Sequence, residues 1–142
     1  MTISLPVQTT PSAVEPLALD HFVILTSRPD EGVSFYARLL PLLGFERTSD
    51  RIWANAKGLH IKIGDADPAC PPYERYGAGV NHVGFAAPSS AFVEQVRERM
   101  SEHLAEGPRI QSFGGRAALF LKDPDGFRVE ITYTPEGETV VD

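Results

Sequence analysis

The 142-residue chain has one cysteine, no long apolar run and no excess of positive charge, and each shortage excludes a class of protein. The single thiol, Cys70, cannot form a disulfide within the chain, and no Cys-x-x-Cys spacing indicates redox or zinc chemistry. No apolar stretch approaches the ~18 residues of a membrane span. Residues 1–16 lack the basic start and long apolar core of a secretory signal. We therefore expect a reduced, cytoplasmic setting.

The charge balance is acidic, with 13 basic and 19 acidic residues and a formal net charge of −6. Because the Lys and Arg residues are scattered along the chain, neither nucleic acid nor a membrane surface is an expected partner. The length and the 42% hydrophobic content are typical of one compact domain. A domain of this size can fold without a structural metal, so any bound metal is expected to serve function.

The pattern of apolar residues predicts the same order of elements twice. A flexible N-terminal arm over residues 1–16 precedes a single domain over 17–142, whose modules cover about 17–65 and 79–134 and are joined by a linker over 66–78. The expected strands are 17–25, 45–54, 59–63, 80–87, 117–121 and 127–133, the expected helices are 33–43 and 91–104, and 107–115 is an expected loop hinged at Gly114-Gly115. The pattern therefore predicts an α+β fold of two βαβββ modules.

A histidine stands in the first strand of each module. The segment LDHFV around His21 aligns with VNHVG around His82, and alternation along a strand places both histidines opposite the apolar face that packs on a helix. In the last strand, Glu130 points to the corresponding face. Two imidazoles and one carboxylate with open positions can bind mononuclear iron(II), manganese, nickel or zinc. We therefore predict that His21, His82 and Glu130 form a metal site in a candidate metalloenzyme.

Four segments, LDHFVI, SFYARLLPLLGFE, NHVGFAAPS and FLKDPDGFRVEITY, resemble the vicinal oxygen chelate superfamily. This superfamily includes glyoxalase I, fosfomycin-resistance transferases, extradiol dioxygenases and bleomycin-resistance proteins. The resemblance implies that the two modules form a curved mixed sheet around a central metal and substrate cavity, and that the chain is a homodimer. The four inward positions that can hold metal ligands in this superfamily fall here on His21, Lys62, His82 and Glu130.

The implied function is a metal-dependent lyase, isomerase or transferase that is not a true glyoxalase I. Glyoxalase I-like enzymes have a carboxylate, both ligand and base, where this chain has Lys62, and a charged lysine cannot replace it. A divalent zinc, nickel, manganese or iron(II) ion would bind a small oxygen-rich or thiol-adduct substrate through adjacent oxygens. The alternatives are a metal-free binding protein of the bleomycin-resistance type and a small extradiol-type dioxygenase.

Glu130 and Lys62 are the candidate catalytic residues. Lys62 could act as a base if burial favoured its neutral form, or it could simply neutralise Glu130. His60 shares the strand face of Lys62 and is a candidate for substrate binding. It would become a fourth metal ligand if the strand register shifted by two residues.

Four further residues are candidates for substrate binding because they lie in the predicted strands or directly before one of them. Arg116 and Arg128 could each anchor an anionic substrate group, although surface and ion-pair roles are common for arginine. Trp53 and Phe120 could line the pocket. Aromatic residues in strands more often belong to the hydrophobic core, so this assignment competes with a core position.

Overall fold

The computed structural model describes residue 4, residues 14–104 and residues 107–137. The predicted arm over 1–16 therefore lies mostly outside the described residues. The elements are β1 (His21–Thr26), α1 (Pro29–Leu42), β2 (Glu46–Ser49), β3 (Ile52–Ala54), β4 (His60–Asp65), β5 (His82–Ala86), α2 (Ser90–Ser101), β6 (Ile110–Phe113), β7 (Arg116–Lys122) and β8 (Arg128–Tyr133). Neither described helix has the length and apolar character needed to cross a bilayer.

Each module folds into a four-stranded mixed sheet. The strand orders are β1-β4-β3-β2 and β5-β8-β7-β6, so the two modules share one topology. The first and last strands of each module pair in parallel, and the remaining pairs are antiparallel. A parallel pair needs a long crossover connection, which contains the helix and two strands of each module. The predicted α+β fold of two βαβββ modules is confirmed, with the eight strands divided between two sheets.

The two helices begin where their first residues favour a helix. Pro29 occupies the start of α1 and acidic Asp30 and Glu31 lie in its first turn, which explains why the helix begins four residues before its predicted start. In α2, the predicted cap at Ser89 is present, and its hydroxyl accepts a hydrogen bond from Phe92 N at 3.1 Å.

The interval 107–115, predicted to be a loop, contains the short strand β6. Gly114 and Gly115 connect β6 to β7 with φ values of 52° and 90°. Two successive residues with positive φ match the twist of a tight hairpin, and glycine adopts this conformation without a Cβ clash. The glycine pair predicted to be a hinge is therefore the turn of a paired hairpin, in which Phe113 lies opposite Arg116.

One hydrophobic core joins the two modules. Phe45 after α1 and Phe85 on β5 contact each other edge to face, with ring centroids 5.9 Å apart. The buried apolar side chains come from both helices and both sheets: Ile24, Phe35, Tyr36, Leu39, Leu40, Phe45, Trp53, Ile61, Ile63, Val93, Val96, Met100, Ala117, Leu119, Leu121, Val129 and Ile131. The apolar faces predicted from strand alternation contribute Ile24, Val129 and Ile131 to this core.

An inter-module clamp, formed by Asp123 and Asp125 of the turn before β8, holds the first module in place. The Asp125 carboxylate accepts hydrogen bonds from Thr26 Oγ1 at 2.6 Å and from Ser27 N at 2.9 Å, and also from the Ser27 hydroxyl. Although partial burial opposes ionisation, the hydrogen bonds from Ser27 and Thr26 lower the pKa of the Asp125 carboxyl. Gly32 approaches Thr26 so closely that a Cβ would lie 2.6 Å from Thr26 Oγ1.

The Asp123 carboxylate completes the clamp from the buried side of the turn. One of its oxygens accepts a hydrogen bond from Tyr36 Oη of α1 at 2.7 Å. The other accepts from Asp125 N at 2.9 Å and Phe127 N at 3.0 Å, which fixes the shape of the turn. Burial raises the pKa of the Asp123 carboxyl, and burial beside this carboxylate also raises the pKa of Tyr36. The tyrosine therefore stays a hydrogen-bond donor.

The variant Asp125→Asn tests the clamp. Its free energy of unfolding at pH 7 is expected to fall by about 1–2 kcal/mol, because hydrogen bonds to a charged group contribute ~1.5–3 kcal/mol and partial exposure weakens them. A carboxyl whose pKa is lowered by folding stabilises the fold above its unfolded pKa and loses that effect as pH falls through its folded pKa. Urea unfolding of both proteins at pH 7 and pH 3 should therefore show a smaller difference at pH 3.

Asp50→Asn is the matched control, because Asp50 is exposed and its carboxylate makes no hydrogen bond or ion pair with the described residues. Its stability at pH 7 should equal that of the wild type. An Asp125→Asn protein as stable as Asp50→Asn at pH 7 would show that the clamp adds nothing to the fold.

Candidate functional site

His82 and Glu130 form a close pair on the adjacent parallel strands β5 and β8. In this register Gly84 lies opposite Glu130, and Glu130 reaches back along the sheet toward the histidine. His82 Nε2 lies 3.2 Å from Glu130 Oε2, and the two side chains are partly exposed. The strand face is the one predicted from alternation, since the flanking Val129 and Ile131 are buried on the opposite side.

The His82 ring is oriented by its neighbour Asn81. Asn81 Nδ2 donates to Arg75 O at 2.7 Å, which leaves the amide oxygen facing His82 Nδ1 at 2.8 Å. Tyr73 Oη also donates to Asn81 O at 2.7 Å. Residues at and beside the predicted linker therefore hold the histidine so that its Nε2 faces Glu130. The second carboxylate oxygen of Glu130 accepts a hydrogen bond from the Thr132 hydroxyl.

A cavity of about 510 Å³ opens above this pair, which is the size range of small-molecule sites. The Phe120 ring lies opposite Glu130 on β7 and packs 5.9 Å from the His82 ring. Arg116 adds a positive charge at the wall of the cavity. The lining residues are His82, Gly84, Phe85, Ala86, Ala87, Gln111, Phe113, Arg116, Ala117, Ala118, Phe120, Glu130, Thr132 and Thr134. All of them belong to the second module.

His21 lies in a different cluster, at the start of the first module. It pairs directly with His60 across β1 and β4, and the two rings stack with centroids 5.1 Å apart. His21 Nδ1 lies 2.6 Å from Asp20 Oδ2, and this hydrogen bond lowers the pKa of Asp20. Among the described residues, the set of three metal-ligating side chains whose donor atoms all lie within 4.8 Å of one another is Asp20, His21 and His60. Within one chain, His21 is therefore not grouped with His82 and Glu130.

The remaining candidate residues fall into three environments. Lys62 is exposed on the same face as His21 and His60, and it forms no ion pair with Glu130 in the described part of the chain. Trp53 is 1% exposed in the core, where Arg47 packs over its ring, so it does not line the cavity. Arg128 lies opposite His82 on β8, outside the cavity lining, and its Nε is buried with no hydrogen-bond partner among the described residues.

Two residues that were not predicted from the sequence contact the predicted histidines. Asn81 and Asp20 directly precede His82 and His21, and each supplies an oxygen to the Nδ1 of its histidine. The repeated pattern of a polar residue before a histidine, DH and NH, was the available signal. The cavity residues Gln111 and Phe113 carried no such signal, because strand β6 was itself predicted to be a loop.

The chain is similar in sequence to known proteins. The family model of the Glyoxalase/Bleomycin resistance protein/Dioxygenase superfamily matches residues 18–131. The chain is 27% identical to Glyoxylase I 4 of Arabidopsis thaliana over 124 residues, which cover 80% of this chain and 69% of that protein. It is 25% identical over 126 residues to the uncharacterised protein YqjT of Bacillus subtilis, covering 80% and 96% of the two chains.

The fold is also similar to solved structures. A proposed glyoxalase from Bacillus halodurans superposes with a TM-score of 0.68 and 25% sequence identity. The match covers 82% of this chain and 95% of the other. The family model spans both modules, and the relatives and this solved structure each match about four fifths of the chain.

Proposed function

The chain belongs to the Glyoxalase/Bleomycin resistance protein/Dioxygenase superfamily, and from this membership and the site geometry we propose that it is a divalent-metal-dependent enzyme. It would be of the lyase, isomerase or transferase type and would bind a small oxygen-rich or thiol-adduct substrate by chelation. The observation that carries the proposal is the His82–Glu130 pair, with Nε2 and Oε2 3.2 Å apart in the wall of a cavity of about 510 Å³.

The pair fits a metal ion because the neutral form of His82 would place two electron-rich atoms face to face. A carbonyl oxygen can only accept, so the amide oxygen of Asn81 takes the Nδ1–H of His82 and leaves the lone pair of neutral His82 on Nε2. That lone pair faces the Glu130 carboxylate, an arrangement that a cation between them would stabilise. Hydrogen bonding of the remote ring nitrogen is the usual support of a histidine ligand.

When bound, a divalent ion would act as a Lewis acid that binds adjacent substrate oxygens and stabilises a developing oxyanion. The chain's own residues would do the rest. Arg116 would neutralise an anionic group of the substrate, and Phe120 would pack against its apolar part. Glu130, held by Thr132, would accept a proton from the substrate.

His21 is proposed as the third ligand, supplied by a second copy of the chain. Its strand face is exposed in one chain, with Val23 50% and Leu25 57% exposed, an unusual position for two large apolar residues on neighbouring positions of one face. Covering this face with the second module of another copy would bury both residues and bring His21 toward His82 and Glu130. The same docking would bring Lys62, which shares the face, to the site as a candidate catalytic residue.

Metal analysis tests the ligand set. Wild type, Glu130→Ala and His82→Ala should be loaded with zinc, nickel, manganese or iron(II), and bound metal measured by elemental analysis and calorimetry. We expect each variant to lose at least about tenfold in affinity at the cavity site, since each removes one of few ligands. Glu98→Ala, on the exposed side of α2, is the matched control and should bind as the wild type does.

If the wild type binds none of these ions, the chelation mechanism fails. The same cavity would then favour the metal-free binding protein of the bleomycin-resistance type. Oxygen uptake restricted to the iron(II) form would instead favour the dioxygenase alternative.

Leu25→Asp tests whether the metal site is formed by two copies of the chain. Because Leu25 is exposed in the single chain, the substitution should leave the folded monomer intact while it disrupts a dimer that buries this face. Light scattering coupled to size exclusion should show a shift from dimer to monomer, with weaker metal binding at His82 and Glu130. Thr48→Asp adds the same charge on β2, the opposite edge of the same sheet, and should remain dimeric. A wild type that is monomeric when loaded with metal would overturn this arrangement.

The lysine at position 62 leads us to expect no efficient glyoxalase I activity. The wild-type enzyme should show little isomerisation of the methylglyoxal–glutathione adduct with any of the four metals, because a charged lysine cannot act as the second carboxylate. The measurement is the absorbance of the thioester product. Clear turnover in this assay would contradict the assignment of Lys62 to the family's fourth ligand position.

A further inference from the structure

The first module carries a cluster of donor atoms that the proposed function does not use as a group. His21 and His60 lie directly opposite each other at the start of the parallel strands β1 and β4. The backbone joins them further, because His60 N donates to Asp20 O at 3.1 Å. Asp20, His21 and His60 each offer one donor atom within 4.8 Å of the others. Two of the three residues therefore lie on paired strands, and Asp20 directly precedes β1.

The electrostatics of the cluster favour a cation. His60 Nδ1 lies 3.3 Å from Gly58 O, and since a carbonyl can only accept, the Nδ1–H donates and Nε2 keeps the lone pair of the neutral ring. That Nε2 lies 3.8 Å from Asp20 Oδ2, so a lone pair and a carboxylate oxygen face each other. The nearly parallel His21 ring, tilted by 13°, donates its Nδ1–H to the same oxygen at 2.6 Å, so an ion bound by these two atoms would replace this hydrogen bond.

The three donor atoms lie close enough together to bind a single ion. Donor atoms bound at about 2.0–2.1 Å to one tetrahedral ion lie about 3.3 Å apart. The 3.8 Å gap between His60 Nε2 and Asp20 Oδ2 is longer than this value, and the 2.6 Å separation of His21 Nδ1 from the same oxygen is shorter. All three side chains are exposed enough to reach one ion by rotation. Two imidazoles and one carboxylate favour borderline ions over calcium and magnesium, which prefer oxygen ligands.

We propose that Asp20, His21 and His60 form a separate binding site for a borderline divalent ion such as Zn²⁺, Ni²⁺ or Cu²⁺, within the first module of a single chain. This site needs neither His82 nor Glu130, and it needs no second copy. It does not rest on the proposed function. Because His21 belongs to both ligand sets, the chain holds this ion when His21 is not engaged at the cavity.

The test uses the untagged full chain with His82→Ala and Glu130→Ala combined, which removes the cavity pair. Zn²⁺ titration by calorimetry should still show about one ion bound per chain. Adding His60→Ala should weaken this binding at least about tenfold. Adding His103→Ala instead, at the far end of α2, is the matched control and should change nothing.

Cobalt(II) gives a second, independent readout. The double variant should develop visible absorption of a nitrogen- and oxygen-ligated Co²⁺ ion, and the added His60→Ala should abolish it. Circular dichroism would confirm that each variant remains folded. Equal Zn²⁺ affinity with and without His60, or no ion bound to the folded double variant, would overturn the proposal.

The experiments distinguish a wrong first-module site from a wrong cavity site. If the wild type binds an ion and the double variant binds none, the first-module site is wrong while the cavity site stands. If the double variant binds as the wild type does and only His60→Ala reduces binding, the first-module site stands and the cavity ligand set is wrong.

Discussion

The hydrogen bonds between the turn before β8 and the first module are the constraint on which the site depends. Asp125 holds the end of β1 through Thr26 and Ser27, and Asp123 holds α1 through Tyr36. A four-stranded sheet with one helix is too small to bury a large core alone, so each module relies on the other. The clamp residues lie just before β8 in the chain. They therefore also determine where that strand begins and hence where Glu130 lies.

The clamp and the core together determine which strand faces remain open. Ile24 and Thr26 are buried where the modules meet, so alternation leaves His21, Val23 and Leu25 on the accessible face of β1. In the second module, the same alternation directs His82 and Glu130 into the cavity. A single chain therefore presents two open strand faces of similar topology. The face of the first module is apolar and exposed, and the face of the second module lines a cavity.

The sequence was sufficient to predict the repeated modules and the strand faces, because both follow from local periodicity. His82 and Glu130 lie close together because they stand on adjacent parallel strands of one module. The partner of His21 could not be predicted, because alternation defines a face and not which strand lies beside it. Aspartates in the D-P-D-G segment were interpreted only as a turn, since nothing local indicates that Asp125 contacts residues 98 and 99 positions earlier. Strand β6 was missed because Gly107–Gly115 is short and ends in two glycines.

The two modules share a topology but differ in the chemistry of equivalent positions. Lys62 of β4 corresponds to Glu130 of β8, so only the second module can pair its first-strand histidine with a carboxylate on the last strand. The first module places His60 opposite His21 instead, and draws its carboxylate from Asp20. Under the two proposals a cation would be held by either arrangement, but only one of them would use His21 without a second chain. Because His21 belongs to both proposed ligand sets and its ring cannot occupy both positions at once, the association of chains and the location of the metal would be coupled through His21.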